Sequence, residues 1–160
     1  MQRVRLDRID RRILADLQED GRITNVDLAR NAGISAPPCL RRVRALEEAG
    51  FIQGYHGKLD AESLGFKEMF FALVGLDSQS QEVLSLFEEA VSDWPEVREC
   101  HMIRGGGDFL LKMVARDKPH RDSLTMQLTS AVHVAKVQTL ETIRTSKDNP
   151  GVPVNTDVDE

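Results

Sequence analysis

"GISAPPCLRRVRALEEAGFIQGY", residues 33–55, sets two prolines at the head of a run that carries three arginines. Residues 28–46 hold Arg30, Arg41, Arg42 and Arg44 and no acid at all, in a chain whose net charge is −5. Proline disfavours the α region for the residue before it, and is itself well placed at the first helical position. The helix is therefore expected to start near Pro38, with Pro37 extended. Spaced at about 100° per residue, Cys39, Leu40, Val43 and Leu46 share one face, Pro38, Arg41, Ala45 and Glu48 the opposite one, with Arg42 and Arg44 on the flanks. A single-sign stripe of this kind suits a polyanion, and a solvated helix face is the plainer alternative.

The upstream sequence supplies the neighbours such a helix needs. In "LDRIDRRILADLQEDGR", Asp7 and Asp10 have the spacing of a capping box, and Leu6 precedes them as a staple residue. Ile9, Ile13, Leu14 and Leu17 then recur at helical spacing up to Gly21, which predicts a helix over 7–20. "TNVDLARNAG" repeats the pattern, with Thr24 as N-cap, Asp27 three residues on, and Gly33 just past the end. Only Gly33, Ile34 and Ser35 separate this short helix from the basic one, the tight connection of a helix-turn-helix. Ser35, Pro38, Arg41, Arg42 and Arg44 are the candidate DNA contacts. Arg42 stands apart, because its flank position also lets it pair within the domain. Neither proline has an N–H to offer a phosphate, so recognition at this end rests on arginine.

Beyond Gly50, "FIQGYHGKL" reads as a small β-wing and a hinge. The period then changes. "FKEMFFALVGL" is strand-like; "SQEVLSLFEEAVSDW" is a helix ending before Pro95; "VRECHMI" and "DFLLKMVA" are strands joined by "RGGG". "KPHRDSLTMQLTSAV" is a second helix and "VAKVQTLETIR" a last strand. The order β-α-β-β-α-β is the ferredoxin-like arrangement, so the fold class is α+β. The expected domains are a winged helix-turn-helix over 1–53, a hinge over 54–65, and a ferredoxin-like domain over 66–147. The tail 148–160 is polar, acidic and Pro/Gly-bearing, a composition that predicts disorder.

At 160 residues and 41% apolar content the chain can bury an ordinary core. No apolar run approaches the roughly 18 residues a membrane span needs, and the N-terminus does not read as a signal peptide, so a cytoplasmic protein is expected. Residues 1–60 carry 11 Lys and Arg against 9 Asp and Glu, and residues 61–160 carry 10 against 17, so the halves present opposite charge. Cys39 and Cys100 lack CxxC spacing and read as packing residues. His56, His101, His120 and His133 share no metal-ligand spacing. No nucleophile–base pair or catalytic carboxylate pair stands out, so neither an enzyme nor a cofactor is expected. The glycines before Asp108 lack the Lys-Ser/Thr of a phosphate loop. They form either a plain strand-to-strand turn or one whose N–H groups also face an effector carboxylate.

"LDRIDRRIL", residues 33–55 and "GGGDFLL" with the final strand together resemble the leucine-responsive regulatory protein / asparagine regulator (Lrp/AsnC) family of prokaryotic transcription factors. The resemblance covers residues 6 to about 147. Arg42, Val43, Leu46, Gly50, Phe51, Ile52 and Tyr55 match the family's helix and wing, and Gly105 and Asp108 its G-x-x-D turn. It implies binding to double-stranded DNA, an amino-acid effector, and a homodimer assembling to octamers. An architectural DNA-binding protein without effector is the rival. The implied effector residues are Arg104, Gly105, Gly106, Gly107 and Asp108: Arg104 or the turn's N–H groups for the ligand carboxylate, Asp108 for its ammonium. Gly107 stands where the family commonly has an aromatic, and Glu141 interrupts a strand that is usually apolar. If both face the effector, a basic or polar amino acid should be preferred over leucine.

Overall fold

The computed structural model describes residues 5–157, which divide into two units. One comprises the chain up to Lys58 together with residues from Lys147 onward; the other is Leu59–Ser146.

In the first unit, α1 (Arg8–Glu19) opens on the expected capping box. The Asp10 N–H donates to Asp7 Oδ1 at 2.8 Å and the Asp7 N–H to Asp10 Oδ2 at 3.2 Å. Thr24 caps α2 (Asn25–Ala32), and Gly33 closes it at φ 71°, the left-handed region that glycine enters without penalty. The core is Ile13, Leu28, Ala29, Cys39 and Leu46, to which all three helices contribute.

The third helix departs from expectation at its start. α3 spans Ala36–Glu48 with Ser35 as N-cap, so Pro37 and Pro38 occupy its second and third positions rather than Pro38 the first. The reason lies in the orphan donors of a helix start: the first N–H groups have no intrahelical acceptor, so two prolines there break nothing. The same prolines explain why Ser35 makes no side-chain capping bond. The N–H groups that its hydroxyl would bind are the two that proline lacks. The first helical bond runs instead from the Cys39 N–H to the Ser35 carbonyl at 3.2 Å.

Past α3, residues 51–60 contain no paired strands, so the expected β-wing is an irregular segment in this chain. Its two glycines favour turns over a ladder. Tyr55 anchors it by donating its hydroxyl to Glu47 Oε1 at 2.8 Å. The tail also differs. Residues 147–157 belong to the first unit, tied to α1 through Gln18 and Val152.

The second unit is a four-stranded antiparallel sheet in the order β2-β3-β1-β4, from β1 (Glu68–Leu76), β2 (Val97–Met102), β3 (Phe109–Ala115) and β4 (Val134–Glu141). Strict alternation buries Phe70, Ala72, Val74 and Leu76 of β1 and Phe109, Leu111, Met113 and Ala115 of β3. Helices α4 (Gln81–Ser92) and α5 (Lys118–Thr129) cover that face with Val83, Phe87, Val91, Leu124 and Leu128. Phe87 and Phe109 stack with ring centroids 4.8 Å apart. On the other face of the sheet, Phe71, Leu73 and Leu110 are half-buried and Leu140 is exposed.

Candidate nucleic-acid interface and effector turn

Setting Cys39 at zero around α3 puts Leu46 at about −20°, Val43 at about 40°, Arg42 at about −60° and Leu40 at about 100°. The buried residues Cys39 and Leu46 therefore centre the inner face nearer Arg42 than Leu40. Leu40 is 40% exposed, not in the core as its apolar character suggests. The outer face is Pro37, Leu40, Arg41, Arg44 and Glu48, all exposed, with Pro38 half-buried at its edge and Ser35 exposed at its head.

Arg42 turns the other way. Its Nη1 pairs with Asp7 Oδ2 at 2.8 Å and Asp10 Oδ1 at 2.7 Å, clasping the start of α1 to α3. The Asp10 bond leads in raising the guanidinium's pKa above its ordinary value. Asp7 is held below the usual carboxylate value: burial opposes ionisation, but the Asp10 N–H and the Arg42 guanidinium outweigh it. Both ion pairs engage Nη1 alone, and they give Arg42 a role within the unit that Arg41 and Arg44 do not share. Arg30 is likewise paired, with Asp27 at 2.6 Å. Among the described residues no carboxylate pairs with Arg41 or Arg44. The capping box was legible in the sequence; its second use, as the counter-charge for Arg42, rests on a contact 32 to 35 residues away in the chain.

The effector candidates separate into two places. Arg104, Gly105, Gly106, Gly107 and Asp108 form the turn from β2 to β3, closed by the Ile103 N–H donating to the Asp108 carbonyl at 2.9 Å. Gly105, at φ 143°, takes a conformation that side-chain-bearing residues rarely adopt. Asp108 Oδ2 accepts from the Leu76 N–H at 2.7 Å and from Gln79 Nε2 at 3.4 Å. It thus satisfies the backbone where the β1–β4 register shifts between Gly75 and Leu76. Gly107 is no vacancy left by a missing ring: a Cβ there would lie 2.9 Å from the Val74 carbonyl oxygen and 3.0 Å from Leu73 Cδ1. The turn folds down onto β1 and occupies the space an aromatic side chain would need.

Glu141 lies elsewhere. It pairs across the sheet with Phe70 and forms an ion pair with Arg121 of α5. Asp108 meets β1 at Val74 and Leu76, so four to six residues, ~14–20 Å along an extended strand, separate the two acids within one chain. Glu141 fastens α5 to the sheet edge and does not join the turn. No motif singles out Gln79, or Asp77, whose carboxylate pairs with His133 Nδ1 at 3.0 Å near the same end of β1.

Two family models match the chain: a winged helix-turn-helix DNA-binding domain over residues 6–53 and an Lrp/AsnC ligand-binding domain over 69–152. A leucine-responsive regulatory protein of Rhizobium meliloti is 51% identical over 147 residues, 91% of this chain and 94% of that protein. An AsnC family transcriptional regulator from Agrobacterium tumefaciens is 32% identical, with a TM-score of 0.88 over 96% of this chain and 100% of that one. A transcriptional regulator from Neisseria meningitidis, solved as a complex with L-Met, is also 32% identical, with a TM-score of 0.89 over 94% of this chain and 97% of that one. A helix-turn-helix with an outward cationic face, a ferredoxin-like unit, and relatives alike over nearly their whole length have one reading: the chain belongs to the Lrp/AsnC family, DNA-binding transcriptional regulators with a ligand-binding domain, and not enzymes.

Proposed function

We propose that this regulator recognises specific DNA sites through the outer face of α3, with Ser35 and Pro38 at the helix head and Arg41 and Arg44 as the cations, and that an amino acid bound at the Arg104–Asp108 turn modulates that binding. The carrying observation is the contrast between neighbours: Arg42 is tied to Asp7 and Asp10, whereas Arg41 and Arg44 face outward. Ser35 keeps its hydroxyl out of capping, ready for a phosphate or a base edge. One short helix reads few base pairs, so a homodimer on two half-sites is the working unit, assembling further to octamers. The half-buried apolar face of Phe71, Leu73 and Leu110 supports self-association of the second unit.

The L-Met complex of a relative 32% identical supports an amino-acid effector. A preference for basic or polar amino acids loses its basis, because Glu141 is paired with Arg121 and Gly107 is packed against β1. One observation favours the rival without an effector: Asp108, the carboxylate expected to take the ligand ammonium, already accepts the Leu76 N–H at Oδ2. Genomic fragments captured by the protein with and without an amino-acid mixture, then footprinted, decide between the two. Paired protected half-sites about one helical turn or a multiple apart, changed by the mixture, support the regulator. Protection without sequence preference that no amino acid alters supports the architectural reading.

A further inference from the structure

The C-terminal segment has the composition of a disordered tail, yet it follows α1 closely. Gln18 and Val152 exchange two hydrogen bonds: Gln18 Nε2 donates to the Val152 carbonyl at 2.6 Å, and the Val152 N–H donates to Gln18 Oε1 at 3.1 Å. Gly151 makes this approach possible, since at φ 61° a Cβ there would fall 2.0 Å from Gln18 Oε1. At one end Asp148 pairs with Lys58 at 2.8 Å. At the other, Thr156 and Asp157 line a cavity of about 170 Å³ together with Arg8, Arg12 and Asn31. The segment therefore runs antiparallel to α1.

Charge gives this contact a consequence. Residues 1–58 carry eleven Lys and Arg against eight Asp and Glu, a net of +3. Residues 147–160 carry Lys147 against Asp148, Asp157, Asp159 and Glu160, a net of −3. The described strap, residues 147–157, carries Lys147 against Asp148 and Asp157, a net of −1, and the acids Asp159 and Glu160 follow it in the sequence. Because the rest of the chain is inserted between the two segments, the tail stays near α1 at high effective concentration even when undocked.

We infer that the outer face of α1 is a docking surface for an acidic extended peptide, that its occupant is the chain's own residues 147–157, and that this strap lowers DNA affinity by reducing the positive charge of the unit that binds it. The inference rests on the DNA-binding reading for its second half only. The Gln18–Val152 amide pair and the exposed Lys58–Asp148 ion pair are contacts of individually weak kinds, which suits a strap that is released.

The test uses the full-length chain in two forms besides the parent. Gly151→Ala unseats the strap by steric conflict; the fourfold change Asp148→Asn, Asp157→Asn, Asp159→Asn and Glu160→Gln keeps the side-chain sizes and the Gln18–Val152 pair but removes the charge, the ion pair with Lys58 included. Amide exchange at Val152 reads docking without DNA, and titration with a non-specific duplex reads affinity. Protection of Val152 in the parent, its loss in Gly151→Ala, and ~3- to 10-fold tighter duplex binding by both variants at low salt, shrinking as salt screens the charges, are expected. An unprotected Val152 in the parent overturns the docking. Exchange released by Gly151→Ala with duplex affinity unchanged in both variants overturns the electrostatic role, and a parent that binds no duplex at all defeats the DNA reading while exchange still reports the strap.

Discussion

Arg41 and Arg42 are adjacent in sequence and about 100° apart around α3, and that angle decides what each can do. One is exposed; the other bridges Asp7 and Asp10. Replacing Arg42 by Ala leaves Asp10, buried in the fold, without its cation, and a loss of ~1–2 kcal/mol is expected after allowing for partial exposure of the pair. Thermal unfolding measures it, and DNA-binding salt dependence should be unchanged. Asp7 supplies the pH dependence. Its pKa is lowered on folding, so its contribution is complete above the unfolded value of about 3.9 and fades as pH falls through the lower folded value. Asp7→Asn should flatten the stability profile below about pH 4, as followed by denaturant titration. Tyr55 shifts the opposite way. Burial first, and then its bond to Glu47, push the phenol up to about 12. The contribution is full below the ordinary value of about 10 and is lost as pH rises toward the folded value. Tyr55 is the only tyrosine, so phenolate absorbance reads it directly, and Glu47→Gln should bring its titration down toward the ordinary value.

At the scale of elements, local chemistry was legible wherever it decided the outcome. Thr24, Gly33 and the Asp7–Asp10 box placed α1 and α2, and alternation against helical spacing placed the sheet and its two helices. The start of α3 does not follow the rule for residues before proline, because the orphan donors of a helix start make its first turn tolerant of proline. Leu40 is exposed while Arg42 is held inward by Asp7 and Asp10 at the start of α1, a contact that no periodicity in α3 reveals. The glycine turn could be located but not filled: that Gly107 rests on the Val74 carbonyl is a fact about β1. Gly107→Ala should therefore cost ~1–3 kcal/mol through the displaced backbone contact, measured by denaturant unfolding. Asp108→Ala should destabilise by a similar ~1–3 kcal/mol even without any ligand, because it orphans the Leu76 N–H.

For the whole molecule, two units and the opposite charge of its halves were visible in composition. The return of residues 147–157 to the first unit was not, since the visible ties are polar contacts with Gln18 and Lys58 and the approach allowed by one glycine. Glu141 and Asp108 were grouped from a family pattern and lie apart because a strand separates them within one chain. No described helix is long and apolar enough to cross a membrane. The central claim is that α3 meets DNA through Arg41 and Arg44 while Arg42 holds the fold. The most direct measurement is the slope of log affinity against log salt for a DNA duplex, compared among the parent, Arg41→Ala, Arg44→Ala and Arg42→Ala. Slopes shallower by about 1 for Arg41→Ala and for Arg44→Ala, with the parent's slope retained in Arg42→Ala, are predicted. Parental slopes in both Arg41→Ala and Arg44→Ala, or a loss confined to Arg42→Ala, would contradict it.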